Sequence, residues 1–357
     1  MTDSGAERDD YESAAKGGSD AVAEFEQHDR GAVAQFRHVL HNNPSLVPLI
    51  VLVIAIIFFG IYLGSRFLSP FALSLILQQV QIVGIVAAAQ SLVILTAGID
   101  LSVGAIMVFS SVIMGQFTFR YGLPPTVAVA CGLMFGTAIG AINGWLVAKV
   151  KLPPFIVTLG MWQIVLAANF LYSANETIRS QDIEANAPLL QIFGKTFELG
   201  GARVTVGVIF MLCLIFGLAY VLRFTAWGRH VYAVGDDLEA AELSGVRTSR
   251  VLIQVYALAG LICAFAGWAL IGRIGSVSPT SGQLANIESI TAVVIGGISL
   301  FGGRGSILGS LFGALIVGVF TLGLRLAGAD AQWTYLLIGV LIIGAVAVDQ
   351  WIRKVSG

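Results

Sequence analysis

Residues 126–148 read TVAVACGLMFGTAIGAINGWLVA, a run without a charged side chain between Pro124-Pro125 and Lys149. As a helix this run would rise about 34 Å, enough to cross the hydrocarbon core of a bilayer. Lipid offers no partner for backbone N–H and C=O groups, so such a run spans as a helix with its bonds closed internally. Nine further segments share its character: 48–64, 75–96, 102–119, 155–173, 204–222, 251–271, 289–302, 306–326 and 333–349. The pattern predicts an all-α polytopic membrane protein with about ten transmembrane helices, within a range of eight to ten. Segment 289–302 is short, as is 48–64, and is expected to be re-entrant or broken.

Composition agrees. The chain is 57% hydrophobic and 11% charged, with mean hydropathy +0.86, whereas soluble domains carry roughly a quarter charged residues. An ordinary soluble globule is excluded. Pro44, Pro48, Pro70, Pro124, Pro125, Pro153, Pro154, Pro188 and Pro279 all lie at or outside segment ends, where a missing N–H does least harm. Residues 1–43 hold nine acids against four bases. They read as an acidic, partly disordered cytoplasmic tail without signal-peptide character, ahead of a membrane domain at 44–357. Within the tail, Val22, Phe25, Val33, Phe36 and Leu40 could line one face of a surface helix. Cys131, Cys213 and Cys263 fall inside spans and are expected as buried thiols. No helix carries a His or Cys pair at ligand spacing, so neither a metal nor a catalytic centre is expected.

With the tail inside, the inner loops hold Lys149, Lys151, Arg223, Arg229, Arg247, Arg250 and Arg304, and the end of the chain holds Arg353 and Lys354. That bias places both termini in the cytoplasm. Gly132, Gly136, Gly140 and Gly144 recur every four residues in the fourth span, and Gly305, Gly309 and Gly313 at the ninth. Such stripes let helix backbones approach closely. Their offset of five spans fits an inverted repeat, and equally two unrelated packing faces.

The polar stretch 223–250 holds a short helix signature. Asp236 and Asp237 offer an N-cap, Leu238 to Ser244, with Glu239, Ala240, Ala241 and Leu243 among them, make two turns, and Gly245 supplies a left-handed stop. It is either an ordinary connector or a knob fitting a groove on another protein.

Glu239-Ala240-Ala241 followed by Gly245 resembles the coupling-loop signature of permease subunits of ATP-binding-cassette importers. The flanking Tyr232-Ala233-Val234-Gly235 and Ser244-Gly245-Val246 resemble its form in the monosaccharide branch. The stretches 98–104 (GIDLSVG), 152–160 (LPPFIVTLG) and 294–306 (VIGGISLFGGRGS) agree with that branch. The likeness runs from about residue 48 to 352. It implies an inner-membrane permease, homodimeric, docked through 223–250 on cytoplasmic ATPase subunits and served by a periplasmic sugar-binding protein. ATP would be bound by the partner, so no cofactor is expected on this chain, and no nucleic acid. The resemblance favours a fructose- or ribose-type substrate. Where relatives often carry an acid two positions before Glu288, this chain has Asn286.

Other features compete for function. Asp100, a carboxylate among apolar segments, could be an ion site, and an ion-coupled secondary sugar carrier is the alternative reading. Beside Ser102, near the end of a span where it can meet water, it is expected instead to cap the following helix or brace the loop. Gly194-Lys195-Thr196 mimics a phosphate loop, but position 189 is leucine rather than the glycine that motif needs. Gly302-Gly303-Arg304-Gly305 reads as a tight turn. For a neutral, hydroxyl-rich solute, the path candidates are Gln78, Gln81, Asn143, Trp162 and Asn169, drawn from a pool that also holds Gln79 and Gln90. Interhelical hydrogen bonds use the same residue types.

Overall fold

A computed structural model describes residues 46–282 and 284–356. The acidic tail, with its possible surface helix, lies outside them. The helices are α1 (Leu46–Leu63), α2 (Pro70–Leu95), α3 (Val103–Phe119), α4 (Pro125–Ala148), α5 (Pro154–Ser173), α6 (Ser180–Asn186), α7 (Val206–Phe224), α8 (Ala226–Asp236), α9 (Leu238–Leu243), α10 (Thr248–Ile274), α11 (Ala285–Ile295), α12 (Ile307–Leu326) and α13 (Ala331–Ser356). Each of the ten predicted segments is represented by one of them. Seven are long and apolar enough to cross a membrane, while α3, α11 and the Gln332–Gly344 part of α13 are shorter.

Local chemistry sets the boundaries. Pro70, Pro125 and Pro154 open their helices at the first position, where the missing N–H costs nothing. Ser69, Thr205 and Ser306 cap α2, α7 and α12 by accepting from Ala72 N, Val208 N and Leu308 N. The segment predicted to end at 302 stops at Ile295, because the chain turns at Gly296–Gly297 and Gly297 takes a φ of 78°.

Counting only the ten spans, the core pairings repeat when the first five are exchanged for the last five. Helix α4 lies against α10, and α12 against α2; α3 packs on α4 and α10, as α11 packs on α12 and α2; α3 meets α5, as α11 meets α13. This is the pairing an inverted repeat produces. The glycine stripes serve these contacts. A Cβ on Gly140 would strike the Tyr256 carbonyl and the Gly260 backbone, and one on Gly136 would meet the Gly260 carbonyl. Gly132 backs onto Met114, and Gly144 onto Ile253. In the second stripe, Gly309 and Gly313 lie against Gly296 and Ala292 of α11. Gly305 departs from the expected stripe. Ser306 caps α12, which leaves Gly305 in the preceding loop at φ 126°.

The stretch between the fifth and sixth predicted segments is folded. Helix α6, a 3-10 turn at Pro188–Gly194, and a hairpin pairing β1 (Thr196–Leu199) with β2 (Ala202–Thr205) cap one end of the bundle. Ile183, Leu190, Ile271 and Val277 form a small satellite core beneath this cap.

Candidate functional site

The two shortest spans described in full, α3 and α11, occupy corresponding positions in the two halves, and their N-termini meet inside the bundle. Asn286 Nδ2 donates to the Leu101 carbonyl at 3.4 Å, and Gly104 lies against the Asn286 backbone. Discontinuous or short helices at matching positions mark the binding region in many transporters built from repeats. The departure at Asn286 has a physical reading. An amide can donate to that carbonyl, whereas an ionised acid would only oppose it.

Next to this junction is a cavity of about 60 Å³ lined by Gly104, Ala105, Val108, Trp162, Leu166, Asn169 and Pro279. Asn169 Nδ2 donates to the Pro279 carbonyl at 2.8 Å, while its buried Oδ1 has no partner. Two path candidates, Trp162 and Asn169, thus come together. The others are elsewhere. Gln81 accepts from Thr205 Oγ1 and clasps α2 to the start of α7. Asn143 Nδ2 donates to Ser102 Oγ at 3.0 Å, and Gln78 is half-buried on α2.

Asp100 is 1% exposed and does not meet water. Its Oδ1 accepts from Ser102 N at 2.7 Å and Ser102 Oγ at 2.6 Å. The carboxylate therefore braces the turn before α3 instead of capping the helix through its first-turn amides. Thr158 Oγ1 donates to the neighbouring Ile99 carbonyl at 2.9 Å. Gln90, with its amide set to satisfy both groups, bonds the Asp100 backbone N–H and C=O. Of the thiols, Cys263 is buried, Cys131 half-buried and Cys213 exposed on α7.

At one end of the bundle the α2–α3 turn, α8 and the α11–α12 loop join. Gly303 N donates to the Leu95 carbonyl at 3.0 Å, and Tyr232 Oη to the Gly305 carbonyl at 3.0 Å. Glycine is required at 235, because a Cβ there would strike the Leu95 carbonyl. From this platform projects α9. Asp237 Oδ1 accepts from Glu239 N and Ala240 N, both at 2.9 Å, and Gly245 closes the helix at φ 86°. Ala241 faces inward, while Leu238 is 44% and Leu243 90% exposed. Beside it opens a groove of about 740 Å³, whose rim carries Lys149, Arg247 and Arg250 with Glu242. Sequence reading used those cations only for orientation; their convergence depends on α4 ending beside the start of α10.

Residues 72–346, most of the chain, match the family described as "Branched-chain amino acid transport system / permease component". The chain belongs to that family. Among permease relatives, the Fructose import permease protein FrcC of Rhizobium meliloti is 70% identical over 97% of this chain and 96% of its own length. The Ribose import permease protein RbsC of Bacillus subtilis is 37% identical over 86% of this chain and 92% of its own. The Xylose transport system permease protein XylH of Escherichia coli is 30% identical over 88% and 94%. No solved structure matches. As a member of this permease family, the chain is a multi-pass membrane transport component.

Proposed function

We propose that this chain is the membrane-spanning subunit of an ATP-driven, binding-protein-dependent importer of monosaccharides, with fructose the leading substrate. The observation that carries the reading is 70% identity to the fructose import permease of Rhizobium meliloti, extending over 97% of this chain. Geometry supports the mode of coupling. A capped helix with its apolar tip in water, beside a basic groove, is suited to seating in a cleft of another protein.

In this reading the α8–α9 end faces the cytoplasm of an inner-membrane transporter, as do both termini, and residues 1–43 form a tail ahead of the permease domain 44–357. Partner ATPases bind the ATP and close beneath the α9 helix. A periplasmic sugar-binding protein delivers to the opposite end, and a second copy of the chain completes the assembly. The ion-coupled alternative is disfavoured by Asp100, which is sealed from solvent and already held by Ser102.

Proteoliposomes containing the chain with its ATPase and sugar-binding protein are expected to accumulate fructose only with ATP, and to continue when the proton gradient is collapsed. Fructose accumulation by the chain alone, driven by an imposed proton gradient, would overturn the proposal.

A further inference from the structure

Within the apolar zone of the bundle, α2, α10 and α11 bring polar side chains together. Arg273, in the last turn of α10, donates from Nη2 to Gln79 Oε1 of α2 at 2.6 Å. Glu288, in the first turn of α11, is half-buried within electrostatic reach of Arg273, which also feels Arg325 at the end of α12. Their depth follows from packing. Helix α11 runs antiparallel to α12, Gly296 on Gly309 and Ala292 on Gly313, so Glu288 stands level with Val317 one turn further along. The next residue, Gly318, touches Val80, ten residues into α2 and so about 15 Å from its start.

A charge at such depth facing hydrocarbon costs ~2.5–3.5 kcal/mol or more, and charged groups inside membranes are found facing bundle interiors or water. Here one carboxylate and one guanidinium open onto a surface where Leu284 and Ile287 are 47% and 53% exposed. The pair is also held apart. Among the described residues the ion pairs are Arg120–Glu176 and Arg203–Glu198, and Glu288 closes onto no cation. A split pair leaves an acceptor and a donor facing a common space, which suits a neutral guest rich in hydroxyls.

We infer that Gln79, Arg273 and Glu288 form a sugar-contacting belt on the aqueous path, with Glu288 accepting from hydroxyls and Arg273 donating to hydroxyl or ring oxygens. The inference rests on the importer reading above and adds to it where the monosaccharide is touched.

The test replaces Cys131, Cys213 and Cys263, then introduces Gln79→Cys, Glu288→Cys or Leu284→Cys into the whole transporter in native membranes. Leu284→Cys keeps all three belt residues, so it reports even if the other two fold poorly. A membrane-impermeant methanethiosulfonate is expected to modify these positions at least tenfold faster than Phe216→Cys or Ile164→Cys. Fructose, ribose or xylose with the binding protein should slow that modification several-fold. Reaction as slow as at the two controls would place the belt against lipid or a dry contact and overturn the inference. Fast reaction that none of the three sugars slows would also overturn it. Failure of the importer reading would show separately, as absence of ATP-dependent sugar uptake in the thiol-free parent.

Discussion

A single side-chain bond ties Thr205 to Gln81, and with it the second span to the sixth. Gln81 Nε2 has no partner, so the amide depends on that one contact. Thr205→Val removes the donor at nearly constant volume and also deprives α7 of its cap. The expected loss is about 1–3 kcal/mol, read as a lower midpoint in thermal unfolding of the purified protein in detergent; an unchanged midpoint would refute the clasp. Gly140 poses the opposite case. Gly140→Val drives a branched side chain, its Cβ first, into the Tyr256 carbonyl and should cost ~1–3 kcal/mol or more by overpacking, whereas Gly160→Ala, where nothing stands near the glycine, should leave the same midpoint unmoved. At this scale the sequence was only partly informative. The fourfold glycine spacing pointed to close packing, but no local signal distinguishes Gln81 in a clasp from Asn169 beside a cavity. That distinction depends on which distant helix arrives opposite.

Helix α9 is the element on which the proposed coupling would turn, and its two faces make separable predictions. Asp237→Ala removes the acceptor for two backbone amides and should loosen the helix by ~0.5–2 kcal/mol, visible as faster hydrogen exchange at Glu239 and Ala240 with the membrane helices unchanged. Leu243→Asp acts at a side chain that touches almost nothing of its own chain, so global stability should shift by no more than ~0.5 kcal/mol while ATP-driven uptake collapses. Uptake at the parental rate in that variant would remove α9 from the coupling surface. The cap, the turns and the glycine stop of α9 were legible beforehand because each is a local rule. The misplacement of Gly305 shows the limit: a four-residue spacing continued across a helix start, and only the Ser306 cap reveals where the helix begins. The length of α11 was similarly masked, since an apolar run continues beyond the residue at which its backbone turns.

At the level of the whole chain, hydropathy located a helix for each predicted segment, seven of them long and apolar enough to cross a membrane, and prolines marked several of their ends, because lipid penalises any other arrangement of the backbone. Which spans touch could not be read from a single sequence, although the five-span offset of the glycine stripes hinted at it. Orientation is read directly by reporter fusions. A phosphatase that works only outside the cytoplasm should be active when fused after Tyr121 and inactive when fused after Val150. The reverse pattern would put α9 on the wrong side for an ATPase.

Where Gly140 meets Gly260, and again where Gly309 meets Gly296, main chain rests on main chain with no side chains between them to rearrange. Such joints have almost no slack: neither member can slide or roll without breaking contact altogether. Each pair therefore behaves as a stiff plate, and any switching between two accessible states has to be taken up along seams filled by larger side chains, such as the one where α2 meets α7. A push delivered at α9 would then reach the far end of the molecule as displacement of a rigid body, with little lost to internal yielding on the way.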